Sequence, residues 1–350
     1  METKIISVTD NTELKSALSE PAKIIQSGGL VVFPTETVYG LGADATNPMA
    51  TSKIYEAKGR PSDNPLIIHI ATPEDAELYA YTNSVYYSLA EAFMPGPLTV
   101  ILKSKDIVPL TTRGGLSTVA VRCPENVIAR ELIRLCGVAV AAPSANLSGS
   151  PSPTSFEYAY ADMNGRVDAI IDGGDCDFGL ESTIVSVNDD GGLTLLRPGK
   201  ITKEDIEALG IPVSIACAVT DTLKENEVAI SPGMKYRHYA PEAPVILLDG
   251  SKEQITEFIR EKAAEDIKIA VIAYEDDAED IINAAPCVDV YKFGPRGDEA
   301  AQAHLLFKLL RDTDKMNYST IYAPLPEKSG IGLALYNRMI RAAAHNIIRL

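Results

Sequence analysis

Six stretches upstream of residue 202 gather side chains suited to holding anions and small polar substrates. In FPTETVYGLGADATN, Thr35, Thr37 and Tyr39 alternate with Glu36 and Val38, so an extended backbone puts both threonines on one face. Gly40 and Gly42 then allow close backbone approach. KGRPSDNPLIIHI supplies Lys58 and Arg60 at a predicted helix end, then Asn64, with His69 inside a strand. In TTRGGLSTVAVRCP, Thr118 precedes Arg122, a cation that interrupts an apolar strand and offers a two-pronged fork to a carboxylate. AAPSANLSGSPSPTS sets Ser144, Asn146, Ser148 and Ser152 around Gly149, where hydroxyls and backbone N–H groups at a strand end can cradle an anion. GLESTIV places Ser182 and Thr183 at a strand start, and LLRPGKI adds Arg197 and Lys200.

Each stretch alone also has a plain structural reading. Cations close a helix C-terminus favourably, a lone strand histidine is usually a satisfied core residue, and a serine-rich turn is an ordinary loop. Their sum is more informative, because several common chemistries are missing. There is no GxSxG elbow, no GxxxxGK[ST] loop and no GxGxxG. The five cysteines, Cys123, Cys136, Cys176, Cys217 and Cys287, form no CxxC pair and read as small buried residues. His69, His238, His304 and His345 lack metal-ligand spacing, so no protein-held metal is expected. What remains is a site rich in Arg, Lys, Ser, Thr and Asn, fitted to a nucleotide and a small charged substrate. Such a site acts by positioning and electrostatics rather than through a covalent nucleophile.

These residues need scaffolding from a chain of 350 residues with 46% hydrophobic and 23% charged content, which is globular in character. Residues 1–212 read as an α/β block of many short strands with intervening helices, one of them spanning EDAELYAYTNSVYYSLAEAF. Residues 243–350 alternate strand and helix four times, which implies a doubly wound parallel sheet. The last of those helices is expected over IGLALYNRMIRAAAHNII, as a packing helix. Residues 213–242 connect the two blocks. That connector carries SPGMKYRHYAP, with Lys235, Tyr236, Arg237, His238 and Tyr239 in a place where linkers are usually bland. A net charge of −16 disfavours nucleic acid as the main partner. Neither a signal peptide nor an apolar run of membrane-spanning length is evident, so a cytoplasmic protein is expected.

Taken together, VVFPTETVYGLGADA, KGRPSDNPLIIHI, STVAVRCP, APSANLSGSPSPTS and LLRPGKI resemble the YrdC-type threonylcarbamoyl-AMP synthase family. SPGMKYRHYAP followed by an α/β block is similar to that family's long, two-domain form. The resemblance implies a YrdC-like twisted mixed sheet with a concave active site, plus a smaller Rossmann-like domain. It implies that L-threonine, bicarbonate (or CO2) and ATP, with Mg²⁺ carried by the nucleotide, give threonylcarbamoyl-adenylate and pyrophosphate. A tRNA threonylcarbamoyl-transferase complex then uses the product, without stable tRNA binding by this chain. By resemblance Thr37, His69, Arg122, Ala142 and Ser182 hold threonine, with Ala142 standing where many relatives have Thr or Ser. Lys58, Arg60, Asn64, Thr118, Ser144, Asn146, Ser148, Ser152, Arg197, Tyr236 and Tyr239 hold ATP, and Lys58 and Arg60 stabilise the transition state. Lys235, Arg237 and His238 join the two tyrosines in a lid over the phosphates. The competing reading is an RNA- or nucleotide-binding regulator of the same fold without turnover.

Overall fold

The computed structural model describes residues 2–8, 14–221, 239–265 and 268–350. The chain packs as two compact units, Met1–Ser148 with Ser152–Lys235, and Gly149–Pro151 with Tyr236–Leu350.

The first unit is built on one mixed sheet. Its strands in chain order are β1 (Lys4–Ser7), β2 (Val31–Phe33), β3 (Gly40–Asp44), β4 (Ile67–His69), β5 (Ala80–Tyr81), β6 (Leu98–Ser104), β7 (Thr118–Arg122), β8 (Val140–Ala141), β9 (Ala169–Asp172), β10 (Thr183–Val187), β11 (Leu193–Arg197) and β12 (Val213–Ile215). Across the sheet they run β1-β9-β2-β3-β8-β4-β7-β6-β10-β11-β12, with β5 pairing β6. The pairs β4/β7 and β6/β10 are parallel, and β6/β7 and β10/β11 are antiparallel. Helices Leu14–Gln26 and Val127–Cys136 cover one face, burying Leu18, Ile25, Leu132 and Ile133 against Val31, Phe33, Val140 and Ile171. At about 25 cal/mol per Å² of apolar area, cores of this kind are the main driving force for the fold.

Two expectations change here. EDAELYAYTNSVYYSLAEAF is not one helix: a short helix Ala76–Tyr79 gives way to β5, and a new helix starts at Ser84. Asn83 causes the restart, accepting the Tyr86 N–H as an N-cap. The sheet also continues past residue 212, because β12 adds in parallel to β11 within the stretch expected to be a connector.

The second unit has a fully parallel sheet of β13 (Val245–Asp249), β14 (Ile269–Ala273), β15 (Asp289–Lys292), β16 (Thr320–Pro324) and β17 (Ile347–Arg349), ordered β15-β14-β16-β13-β17. Helices Lys252–Glu265 and Glu275–Ala284 pack together, as do Glu299–Asp314 and Gly332–Ala342. The last helix is almost wholly buried along its length, as a packing helix is. It stops at Ala342, short of residues 346–348, which the sequence pattern alone assigns to it. Ala344 and His345 turn the chain through left-handed backbone (φ 47° and 63°), and β17 follows as a fifth strand. Cys123, Cys136 and Cys176 are buried as expected, whereas Cys217, at the start of a short 3-10 helix, and Cys287, in a turn before β15, are exposed. Among the described residues no helix is long and apolar enough to cross a membrane.

Candidate active site

The strand registers assemble the candidate residues into a row. His69 on β4 stands opposite Arg122 on β7, and Arg122 stands opposite Thr99 on β6. Thr99 pairs with Ile184 on β10, and Ile184 with Arg197 on β11. Directly paired residues share a face, and each step across a sheet is about 4.8 Å. His69, Arg122, Thr99 and Arg197 therefore line one face over roughly 19 Å, although the sequence scatters them over more than a hundred residues.

Arg122 is the hub of that row. Its Nη2 donates to Glu36 Oε1 at 2.6 Å and to Thr37 Oγ1 at 3.0 Å, and both charged side chains are about 5% exposed or less. Glu36 and Thr37 reach the same guanidinium because residues 36–38 bend; the alternation expected of an extended segment does not hold. Thr35 drives the bend. Its Oγ1 accepts the N–H groups of Thr37 and Val38 and donates to the Val38 carbonyl at 2.7 Å, a side-chain-closed turn. With the Thr35 proton committed there, Thr37 is the donor in the 2.8 Å contact between the two hydroxyls. Gly42 serves packing rather than ligand approach: a Cβ there would lie 2.7 Å from Phe33 and 2.9 Å from Val140.

Several buried polar atoms around this hub have no partner among the described residues: Arg122 Nε, Glu36 Oε2, His69 Nδ1 and Asn64 Oδ1. Leaving such atoms unpaired costs about 1–3 kcal/mol each, so a ligand that satisfies several of them recovers that cost on binding. His69 is held neutral, its imidazole pushed down to about 3 by burial and then by the Arg122 guanidinium. The unfolded chain takes up that proton near pH 6.5 and the folded site only near 3. Stability is thus unaffected above pH 6.5 and falls as the pH drops below it. In a ¹H–¹³C NMR titration His69 should keep neutral shifts down to about pH 4; a midpoint near its ordinary value would contradict this environment. His69→Gln should flatten the acid limb of the stability curve.

A second group lies around Lys58, the last residue of helix Pro48–Lys58. Asn47 caps the start of that helix by accepting from Met49 and Ala50, and Gly59 closes its end in left-handed backbone (φ 62°). The Lys58 ammonium donates to the carbonyls of Ser144 and Asn146, both at 2.5 Å, and its carbonyl accepts the Ser148 N–H. Ser144 Oγ in turn donates to Asn146 Oδ1. Lys58 therefore shapes the 144–148 turn from beneath. Arg60 Nη2 donates to the Pro65 carbonyl at 3.1 Å, bracing the segment that carries Asn64.

Ser182 joins two expectations that sequence kept apart. Its hydroxyl meets Thr99 at 2.8 Å and accepts from Arg197 Nη2 at 3.0 Å, while Arg197 Nε donates to the Ser182 carbonyl. The residue assigned to threonine and the one assigned to ATP thus touch. Ser152 Oγ donates to Glu181 Oε1 at 2.6 Å, both buried. Ala142 spends its N–H on the Ile67 carbonyl. Thr118 occupies the far end of β7 from Arg122, about 13 Å away on the same face. Lys235, Tyr236, Arg237 and His238 lie outside the described residues. Tyr239, expected to hold ATP, is buried among residues of the second unit, its ring stacked on Phe307 at 5.2 Å with the Arg338 guanidinium 5.9 Å away.

Sequence reasoning singled out Thr35 only for the face it shares with Thr37, and it missed Glu36, Thr99 and Glu181 as members of the site. Glu36 carried a usable signal: an acid three residues past the apolar run LVVF needs a partner if it is buried, as Arg122 does.

Residues 23–199 match the Sua5/YciO/YrdC family, described as telomere recombination, and residues 201–344 match the threonylcarbamoyl-AMP synthase C-terminal domain. The chain is 43% identical to the threonylcarbamoyl-AMP synthase of Bacillus subtilis over 100% of both chains. It is 43% identical to that of Pyrococcus abyssi over 94% of each. The crystal structure of P. abyssi Sua5 complexed with L-threonine superposes with a TM-score of 0.88 at 40% identity, covering 100% of both chains. A match that spans both units at this identity places the chain in the threonylcarbamoyl-AMP synthase family, in its two-domain form.

Proposed function

We propose that the chain condenses L-threonine, bicarbonate or CO2, and ATP into L-threonylcarbamoyl-AMP and pyrophosphate. The observation that carries this reading is the buried Arg122 hub, with unspent polar atoms on Arg122, Glu36 and His69 in the family that also holds a threonine-bound relative. Arg122 Nε is the donor offered to the substrate carboxylate, and Thr37 and Ser182 supply hydroxyls beside it.

The chemistry asks for positioning. The threonine ammonium loses a proton, its nitrogen lone pair forms the N–C bond to CO2, and a second proton leaves to give the carbamate. A carbamate oxygen then attacks the α-phosphorus of ATP and the bond to the β,γ-pyrophosphate breaks. Arg197, in contact with Ser182, is the residue that this reading puts between threonine and nucleotide. The Lys58-supported turn at 144–148 offers its outward N–H groups and hydroxyls to phosphate. Mg²⁺, if it accompanies ATP, would offset the charge of the triphosphate. The product is used in the cytoplasm by a tRNA-modifying transferase.

Pyrophosphate release tests this reading directly. Release is expected only with ATP, threonine and bicarbonate together, and the threonylcarbamoyl-adenylate should appear by mass spectrometry. Release without any carbon source, after degassing, would instead mark a simple aminoacyl-adenylating enzyme.

A further inference from the structure

The second unit has a built cavity lined by none of the residues of the candidate active site. In its sheet the chain passes from β13 across β16 to β14 and β15, then returns to β16. Right-handed crossovers put helices Lys252–Glu265 and Glu275–Ala284 on one face and Glu299–Asp314 and Gly332–Ala342 on the other. The loops leaving β13 and β14 therefore diverge from the loop leaving β16 at the carboxyl edge of the strands. Such a switch point is where doubly wound sheets open a ligand crevice. A cavity of about 300 Å³ lies there, lined by Asp249 at the end of β13, Tyr274 after β14, Glu327 after β16, and Arg296, Glu299 and Gln302 from the segment after β15. That volume is at the lower end for small-molecule sites.

Two of its polar side chains are more than nine-tenths buried and incompletely used. The Tyr274 hydroxyl makes no hydrogen bond among the described residues, and Tyr274 is 8% exposed. Gln302, 3% exposed, donates Nε2 to the Pro295 carbonyl at 2.7 Å, and its Oε1 has no partner there. The remaining groups decide the ligand class. A phosphate would be drawn to the N-terminus of Gly332–Ala342, but Glu299 already fills that place, accepting the Gly332 N–H at 3.0 Å. Arg296 is paired with Asp277 at 2.5 Å, and the central carbon of its guanidinium sits 4.4 Å from the Tyr274 ring centroid. Glu299 and Glu327, with Asp249 paired to the exposed Arg349 at 3.8 Å, leave the cavity acceptor-rich and negative, and no glycine-rich phosphate loop follows β13. Carboxylates in this position suit ribose hydroxyls, and the guanidinium plane suits stacking by a base.

The geometry points to a binding site for a phosphate-free nucleoside in the second unit, separate from the substrate site of the first. Calorimetric titration of the full-length protein with adenosine and with AMP tests it, comparing wild type with Tyr274→Phe and Gln302→Leu. Adenosine should bind, Tyr274→Phe should weaken that binding roughly fivefold through one lost hydrogen bond, and the synthase rate should be unchanged. AMP should bind the Tyr274-dependent site at least about tenfold more weakly, because its phosphate meets three carboxylates. Adenosine held in the first unit would be untouched by either substitution. Titrations that superimpose for wild type and both variants would overturn the proposal, as would equal affinity for AMP at the Tyr274-dependent site.

Discussion

Arg122→Met is expected to lower threonine-dependent turnover by roughly 100- to 1,000-fold and to destabilise the first unit as well. Both effects follow from one geometry. Arg122 and Glu36 form an ion pair at 2.6 Å with side chains 5% and 4% exposed. Removing one member of such a pair leaves an uncompensated buried charge, which costs about 3–5 kcal/mol. At about 2–4 °C per kcal/mol for a unit of this size, the melting temperature should fall by roughly 6–20 °C. The catalytic loss has a separate origin, the missing charge-assisted donors to the substrate carboxylate, worth about 2–5 kcal/mol when desolvated. The double variant Arg122→Met with Glu36→Gln separates the two, because removing the stranded carboxylate should restore much of the stability and none of the activity. Calorimetry and initial rates at saturating threonine read both quantities. A single variant with wild-type melting temperature would contradict a buried, coupled pair.

Lys58→Met is expected to act on the nucleotide side. The substitution keeps most of the side-chain volume and strands the carbonyls of Ser144 and Asn146, each worth about 1–3 kcal/mol if left unpaired. The 144–148 turn should then relax, raising the KM for ATP by roughly 10- to 100-fold, from about 1.4 kcal/mol per factor of ten. The KM for threonine should change little, because the Arg122 hub makes none of these contacts. Faster amide exchange at Asn146 and Ser148, measured on the same variant, would tie the kinetic change to the turn. Equal increases in both KM values would instead mean that Lys58 supports the whole sheet edge.

The local elements of the site were legible because short-range chemistry fixes them. Asn47 and Pro48 announce a helix start, Gly59 its end, and the apolar runs around His69, Arg122 and Thr183 announce strands. The second unit's parallel sheet could likewise be expected from alternating strand and helix patterns. Errors arose where local cues compete. Asn83 could sit inside a helix or cap a new one, and pairing of β5 with β6 settled it. Ile347 and Ile348 are apolar enough for helix or strand, and the open edge of β13 claimed them.

By itself, then, the sequence determined which residue types were available, the two-block organisation and the polar character of the site. Only the tertiary structure decided which of them meet. Strand order is set by long-range pairing, so nothing local could reveal that β7, β6, β10 and β11 lie side by side and bring Arg122, Thr99, Ser182 and Arg197 into one row. The same holds for Glu36, 86 positions from Arg122 in the chain and 2.6 Å from it in space. A buried charge fixes the need for a partner, but the partner's identity depends on which strands the fold places next to each other.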